Sequence, residues 1–429
     1  MSSERWAEKP LGEVSQNASR RFDFKKHPNV IFINTSDVLE GAFLHSIISP
    51  AVGLPGQAKK RLCFGDILLT EIRPGNGRFA YVDFNAEEYV VSTKFMVIES
   101  TKDIDSRFLY HVLTNRVALN NFQHIAESRS GTFPQITFES IAHYPIPLPP
   151  RNEQLKIVQF LDEVNTRIGL LKETNKTLES IAQAIFKSWF VDFDPVRAKM
   201  AGRQPDGMDE ATAALFPDSF EESEPGLIPK GWHCGQLGDV ATTVHTPVSV
   251  NEFKESIVYV GLEHVPRKEL SLTDWGVAAG LESTKAAFST KDILFGKLRP
   301  YFHKVVVAPL GGVCSTDILV CRPKDSIFHA FVALHLFSKN LIAYADRLSN
   351  GAKMPRINWK DLAVYPVIIP PEKIVASYDD AIQTILDKMR ANVFQIKTIS
   401  SLRNALLPRL ISGRIRLPDI EQKIEAALP

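Results

Sequence analysis

Residues 149–190 read PPRNEQLKIVQFLDEVNTRIGLLKETNKTLESIAQAIFKSWF, and residues 370–410 read PPEKIVASYDDAIQTILDKMRANVFQIKTISSLRNALLPRL. In the first stretch Leu161, Val164, Ile168, Leu171, Asn175, Leu178, Ala182, Ile185 and Trp189 follow alternating steps of three and four, the spacing of a coiled-coil seam. The same register, displaced by 221 residues, falls on Ile382, Ile385, Met389, Asn392, Ile396, Ile399, Arg403, Leu406 and Leu410, apolar except for Asn392 and Arg403. A helix of about 39 residues spans roughly 58 Å, too long to hide its stripe against one small domain. Helices predicted over 151–189 and 372–410 are therefore expected to pack on each other as an antiparallel pair. The expected interface is Leu161, Val164, Ile168, Leu171, Leu178, Ile185, Ile382, Ile385, Met389, Ile396, Ile399 and Leu406. Asn175 and Asn392 read equally as polar residues that set the register and as ordinary, partly exposed positions.

Outward from the helices, the whole chain repeats. Trp6 and Leu11-Gly12-Glu13-Val14 recur as Trp232 and Leu237-Gly238-Asp239-Val240, displaced by 226 residues. The same displacement carries Asp66-Ile67-Leu68 onto Asp292-Ile293-Leu294 and Arg73-Pro74 onto Arg299-Pro300. Val91-Ser92-Thr93 is echoed by Cys314-Ser315-Thr316, and Pro134-x-Ile136, Tyr144-Pro145 and Pro149-Pro150 by Pro355-x-Ile357, Tyr365-Pro366 and Pro370-Pro371. Small changes of displacement imply loop insertions and deletions only. Between landmarks lie β-rich runs (VIFIN, YVVSTKFMVI, SIVYVGL, KVVVAPL), with helical stretches near 107–127 and 327–347. The expected fold is α+β, with two similar globular domains at 1–150 and 231–371, a two-helix antiparallel coiled coil separating them, and an internal pseudo-two-fold axis. Residues 190–230 read as a surface linker with one short helix, ATAALF, and 411–429 as a C-terminal tail.

Composition excludes several function classes. A chain of 429 residues that is 44% hydrophobic has core enough for two or three domains. Its 50 Lys+Arg against 49 Asp+Glu leave a formal charge of +1, so any polyanion must be met by a local patch. Cys63, Cys234, Cys314 and Cys321 lack zinc or disulfide spacing. MSSERWAEKP has no apolar signal core, and no 18 apolar residues run together, so a cytoplasmic protein that does not span a membrane is expected. Catalytic motifs are missing: there is no GxGxxG, no P-loop (Gly296-Lys297 is followed by Leu298), no HExxH and no GxSxG. The Asn/Asp-Pro-Pro-Tyr/Phe quartet of amino-methyltransferases is absent too. Pro217-Asp218 with Glu252-Phe253-Lys254 imitates a nuclease pattern, but at long spacing and from an acidic linker. The chain reads as a binding protein with no catalytic residue and no metal.

Two similar domains held apart by a stalk suit a long, regular partner, and double-stranded DNA is one. Phosphates favour Arg, Lys and backbone donors, while base edges need groups such as Arg, Asn and Gln. The loop TEIRPGNGRF offers Arg73, Asn76 and Arg78; its counterpart GKLRPYFHK offers Lys297, Arg299, Tyr301, His303 and Lys304. A second matched pair, ESRSGTFPQI and LSNGAKMPRI, offers Arg129, Ser130, Thr132 and Gln135, and Asn350, Lys353 and Arg356. The same residue types also occur in plain surface turns with solvated charges. Loops that recur in place while differing in sequence are what two readers of different half-sites require.

The chain resembles the specificity subunit of type I restriction-modification systems. IPKGWHCGQLGDV resembles the opening of a target recognition domain, and FPQITFESIAHYPIPLPPRNEQLKIVQFLD its exit into the first conserved helix. IFKSWFVDFDPVRAKMAG resembles the central conserved region and LLPRLISGRIRL the closing segment. The resemblance implies two target recognition domains, each binding one half of an interrupted target, and a coiled coil that sets the gap and docks two modification subunits. It also implies that those partners carry S-adenosylmethionine, that restriction subunits join to translocate and cleave DNA, and that this chain binds no cofactor itself. The competing expectation is a protein-interaction scaffold with a coiled-coil core.

Overall fold

Each Asp-Ile-Leu landmark opens a strand that is buried on both faces. In the first copy, Ile67 and Leu69 point into a core shared with Phe108, Leu109 and Phe122 of the flanking helices. Leu68, between them, points the other way, into a core with Ile31, Ile33, Val91 and Phe95. The second copy repeats this: Ile293 and Phe295 face one core and Leu294 the other. Successive side chains of a strand alternate between faces, so a strand covered on both sides must be apolar throughout.

The computed structural model describes residues 6–129, 133–224, 226–349, 351 and 354–418. Its chain divides into two units, Met1–Arg167 with Ser400–Pro429, and Ile168–Ile399.

In the first unit one four-stranded sheet has the order Ser15–Asn17, Phe95–Ser100, Ile67–Thr70, Phe79–Tyr81. A second has the order Ile48–Pro50, Asn29–Ile33, Tyr89–Ser92, Ala58–Arg61, in which Asn29–Ile33 and Tyr89–Ser92 run parallel. The run YVVSTKFMVI is thus two strands in two sheets, broken at Thr93 and Lys94. The predicted helical stretch is also two elements, Ser106–Thr114 and Arg116–Arg129. Asn115 causes the break, because its Oδ1 accepts from the main-chain N–H groups of Val117 (2.9 Å) and Ala118 (3.0 Å) and so caps a new helix.

The second unit repeats the topology. Ala241–Val244, Ile318–Pro323, Ile293–Gly296 and Val305–Val307 form its four-stranded sheet. A five-stranded sheet contains the matching parallel pair, Val258–Val260 with Gly312–Cys314. Its helical stretch breaks at Ser338, whose Oγ accepts from the N–H of Leu341, between His329–Phe337 and Lys339–Leu348.

The long helices are Arg151–Phe190 and Glu372–Ile411. Within the second unit they run antiparallel: Asn175 meets Met389 and Asn392, while Phe190 further along meets Tyr378, ring centroids 4.7 Å apart. Within the first unit Asn165 accepts from Arg403 Nη1 at 2.7 Å, and Leu161 shares a core with Leu406 and Leu410. Leu161, Ile168, Leu171, Ile382, Met389 and Ile396 are buried; Val164, Leu178, Ile185, Ile385, Ile399 and Leu406 are half-buried.

Residues 190–230 correct the expectation of a surface linker. They hold two helices, Asp194–Met200 and Glu210–Leu215, and a hairpin of Phe220–Ser223 with Gly226–Pro229. Phe193, Val196 and Phe216 are buried, with Phe193 stacked edge-on against Trp232 at 5.6 Å. The polar residues of this stretch hid its apolar minority, which is what the core takes up. Trp6, the partner of Trp232 in the repeat, is held by Leu410 and Arg416: its Nε1 donates to the Leu410 carbonyl at 3.4 Å and the guanidinium lies 3.5 Å above its ring.

Among the described residues no single helix is long and apolar enough to cross a membrane. The bent pair Ser326–Phe337 and Lys339–Leu348 passes by length and composition, and within its first member His329–Phe337 is buried throughout in the second unit's core. No group of three or more His, Cys, Asp or Glu side chains that would suit a metal occurs among the described residues.

Candidate nucleic-acid interface

The loops that follow the landmark strands share one backbone. Arg73 and Arg299 both adopt the left-handed conformation, φ 46° and 51°, and each opens a short 3-10 turn, Pro74–Asn76 and Pro300–Phe302. Their N–H groups donate to the carbonyls of Pro134 (3.0 Å) and Pro355 (2.8 Å). One step back, the N–H groups of Ile136 and Ile357 donate to the carbonyls of Glu71 (2.8 Å) and Lys297 (3.1 Å). Glu71 and Lys297 donate in turn to the carbonyls of Lys94 and Asp317, at 2.9 Å in both domains. Three segments far apart in sequence therefore lie side by side, and the side chains at their matched positions differ: Glu71, Lys94 and Gln135 in one domain, Lys297, Asp317 and Arg356 in the other.

The specificity subunit of the type I restriction enzyme HindI from Haemophilus influenzae is 35% identical to this chain, over 96% of this chain and 99% of its own length. The chain belongs to the type I restriction enzyme specificity subunits. A family model described as the type I restriction modification DNA specificity domain matches residues 3–180. The MjaIX specificity subunit of Methanocaldococcus jannaschii is 24% identical over 83% of this chain and 79% of its own length, and the EcoDI specificity subunit of Escherichia coli 25% over 82% and 83%.

In this specificity subunit the predicted loop residues fall into three groups. Arg73, Asn76 and Gln135 are exposed on the first platform, and Tyr301 and Arg356 on the second, with Lys297 and Arg299 half-buried beside them. Arg356 is braced by its Nε, which donates to Asp317 at 3.0 Å. Arg129 ends the helix Arg116–Arg129 and is exposed. Ser130, Thr132, Asn350 and Lys353 lie outside the described residues.

Arg78, Lys304 and His303 make a different use of their polar groups. Arg78 Nη1 donates to the carbonyls of Ser36 (3.1 Å) and Val38 (2.8 Å), and Lys304 Nζ donates to that of Leu262. Ser36 and Leu262 lie in the turns that follow the matched strands Asn29–Ile33 and Val258–Val260, so both cations staple the same turn. Burial pushes the Lys304 ammonium below its ordinary value, as does neighbouring Arg267. His303, expected on the loop surface, is buried, with Nε2 2.8 Å from the Phe337 carbonyl, and burial lowers its basicity. Long side chains reach back to unpaired carbonyls because leaving those unmet is costly.

Sequence reasoning missed Glu71, Lys94 and Asp317. A signal was present: Lys94 and Asp317 each follow directly on the matched landmarks Val91-Ser92-Thr93 and Cys314-Ser315-Thr316.

Proposed function

We propose that this chain is the non-catalytic, DNA-reading subunit of a type I restriction-modification complex. Each domain reads one half of a two-part double-stranded target, and the paired helices set the spacer and dock two modification subunits. Those partners would carry S-adenosylmethionine and the methyl-transfer chemistry, and restriction subunits the translocation and cleavage, in the cytoplasm. The observation that carries this reading is the matched pair of platforms, identical in backbone hydrogen bonding and different in side chains. A frame that keeps its backbone while changing its exposed polar groups is suited to two different surfaces of one kind of polymer. Phosphate contacts by the surrounding cations position the duplex, and the platform side chains meet base edges.

Selection from a random duplex library, with and without the modification subunit, tests the reading. Enrichment of a two-part target supports it; no enrichment with the partner present supports a protein-interaction scaffold instead. Deleting seven residues from each long helix is expected to change the preferred spacer, and an unchanged spacer would sink the ruler role.

A further inference from the structure

The two platforms carry opposite charge at matched places. Glu71 stands where Lys297 stands, and Lys94 where Asp317 stands, each pair joined by the same 2.9 Å backbone hydrogen bond. That bond is made by main-chain atoms, so the frame does not require either polarity. Burial raises the carboxyl of half-buried Glu71 above its ordinary value while the charges of Lys60 and Lys94 pull it down, and Lys60 is anchored by its Nζ on the Phe95 carbonyl at 2.5 Å. On the other platform Asp317 takes the Nε of Arg356, whose terminal nitrogens have no partner among the described residues. A carboxylate only accepts hydrogen bonds; an ammonium or guanidinium only donates them. Inverting the pair therefore inverts what each platform can bind.

We infer that these positions determine which half-site each domain accepts. Glu71 takes a hydrogen bond from the exocyclic amino group of a cytosine or adenine in the major groove. Lys297 and Arg356, the latter held by Asp317, donate to the N7 and O6 edge of a guanine. The charges of Lys60 and Lys94 favour the accepting carboxylate of Glu71 over its protonated form. The assignment rests on the DNA-reading function proposed above.

The test uses the full chain assembled with its modification subunits and a pool of random duplexes. Glu71→Gln is expected to lose on the order of tenfold or more of its discrimination at one base pair of one half-site. Lys297→Met and Arg356→Met are expected to lose as much at one or two base pairs of the other half-site, with the spacer unchanged. Because Glu71 is half-buried, its result is read together with that of exposed Arg356→Met, which leaves the core untouched. Unchanged preference at every position in these variants overturns the assignment, as does an equal loss for all sequences, the mark of phosphate contact. Should the unaltered complex enrich no two-part target, the DNA-reading function falls first and the assignment with it.

Discussion

Asn392 donates from Nδ2 to the Oδ1 of Asn175 over 2.8 Å, in a seam where both side chains are all but excluded from solvent. Asn175 donates onward to the Met389 carbonyl at 3.1 Å. Asn392→Leu is expected to destabilise the protein by about 1–3 kcal/mol, because it leaves a buried amide oxygen without a donor. Replacing both asparagines by leucine should recover most of that loss, since an apolar pair of similar shape needs no partner. Thermal midpoints of the two single variants and the double variant decide it; a double variant less stable than either single one would refute the pairing.

Glu179 lies buried against the second domain, accepting from the Leu270 N–H at 2.6 Å and from Gln183 Nε2 at 3.0 Å. Burial, aided by Glu269, pushes its carboxyl up to about 7, against the pull of the Leu270 and Gln183 hydrogen bonds. The folded state therefore holds a proton that the unfolded chain releases near its ordinary value of 4.5. This group's contribution to stability is present below that value and is lost as pH rises to about 7, a change on the order of 2–3 kcal/mol. Glu179→Gln should remove this slope and be the more stable form above neutral pH. Urea midpoints of both proteins between pH 5 and pH 8 test this, and parallel curves would count against it.

The carboxylates of Asp66 and Asp292 hold the same place in the two domains, each accepting from a main-chain N–H three residues back at 2.7 Å. They are neutralised from unrelated parts of the chain, Asp66 by Arg20 and Asp292 by Arg322 through a two-pronged contact of 2.7 and 2.8 Å. Arg20→Met should cost on the order of 3 kcal/mol by leaving a buried charge unpaired. Arg322→Met should cost less, because Arg322 is 42% exposed against 27% for Arg20 and the pair it breaks is the more screened by water. Chemical denaturation of the two variants orders them; the reverse order would contradict the burial argument.

Arg73 and Arg78 sit in one loop and are expected to respond differently to mutation. Arg73→Ala should leave stability unchanged within about 0.5 kcal/mol and lower DNA affinity. If it meets a phosphate, the log–log slope of binding against salt falls by about 0.9. Arg78→Ala should instead destabilise the first domain by about 1–2 kcal/mol, since two carbonyls lose a charged donor. Melting curves and binding isotherms at several salt concentrations separate the two roles.

The α+β class, the repeat and the antiparallel helix pair were legible in the sequence. The landmark Asp66-Ile67-Leu68 was legible as a repeated element, whereas the division of Ile67 and Leu69 from Leu68 between two cores came from the structure. Leu161, Ile168, Leu171 and their counterparts had to face a partner helix, because their spacing leaves one stripe unprotected. Both arguments depend on local order along the chain, which the sequence carries directly.

The division of labour among the loop cations was not legible, because their partners lie far away in sequence. Arg78 reaches Ser36 and Lys304 reaches Leu262, some forty residues off, and composition cannot distinguish such a staple from an exposed Arg73. The aromatic residues of 190–230 were obscured for a related reason: Phe193 and Phe216 show no periodicity, and only the space around Trp232 makes them core. Sequence determined that one frame is written twice. The repeat pairs Glu71 with Lys297 and Lys94 with Asp317, but only tertiary structure decided that Glu71 lies beside Lys94 and Lys297 beside Asp317, because hydrogen bonding between distant segments is what sets them side by side.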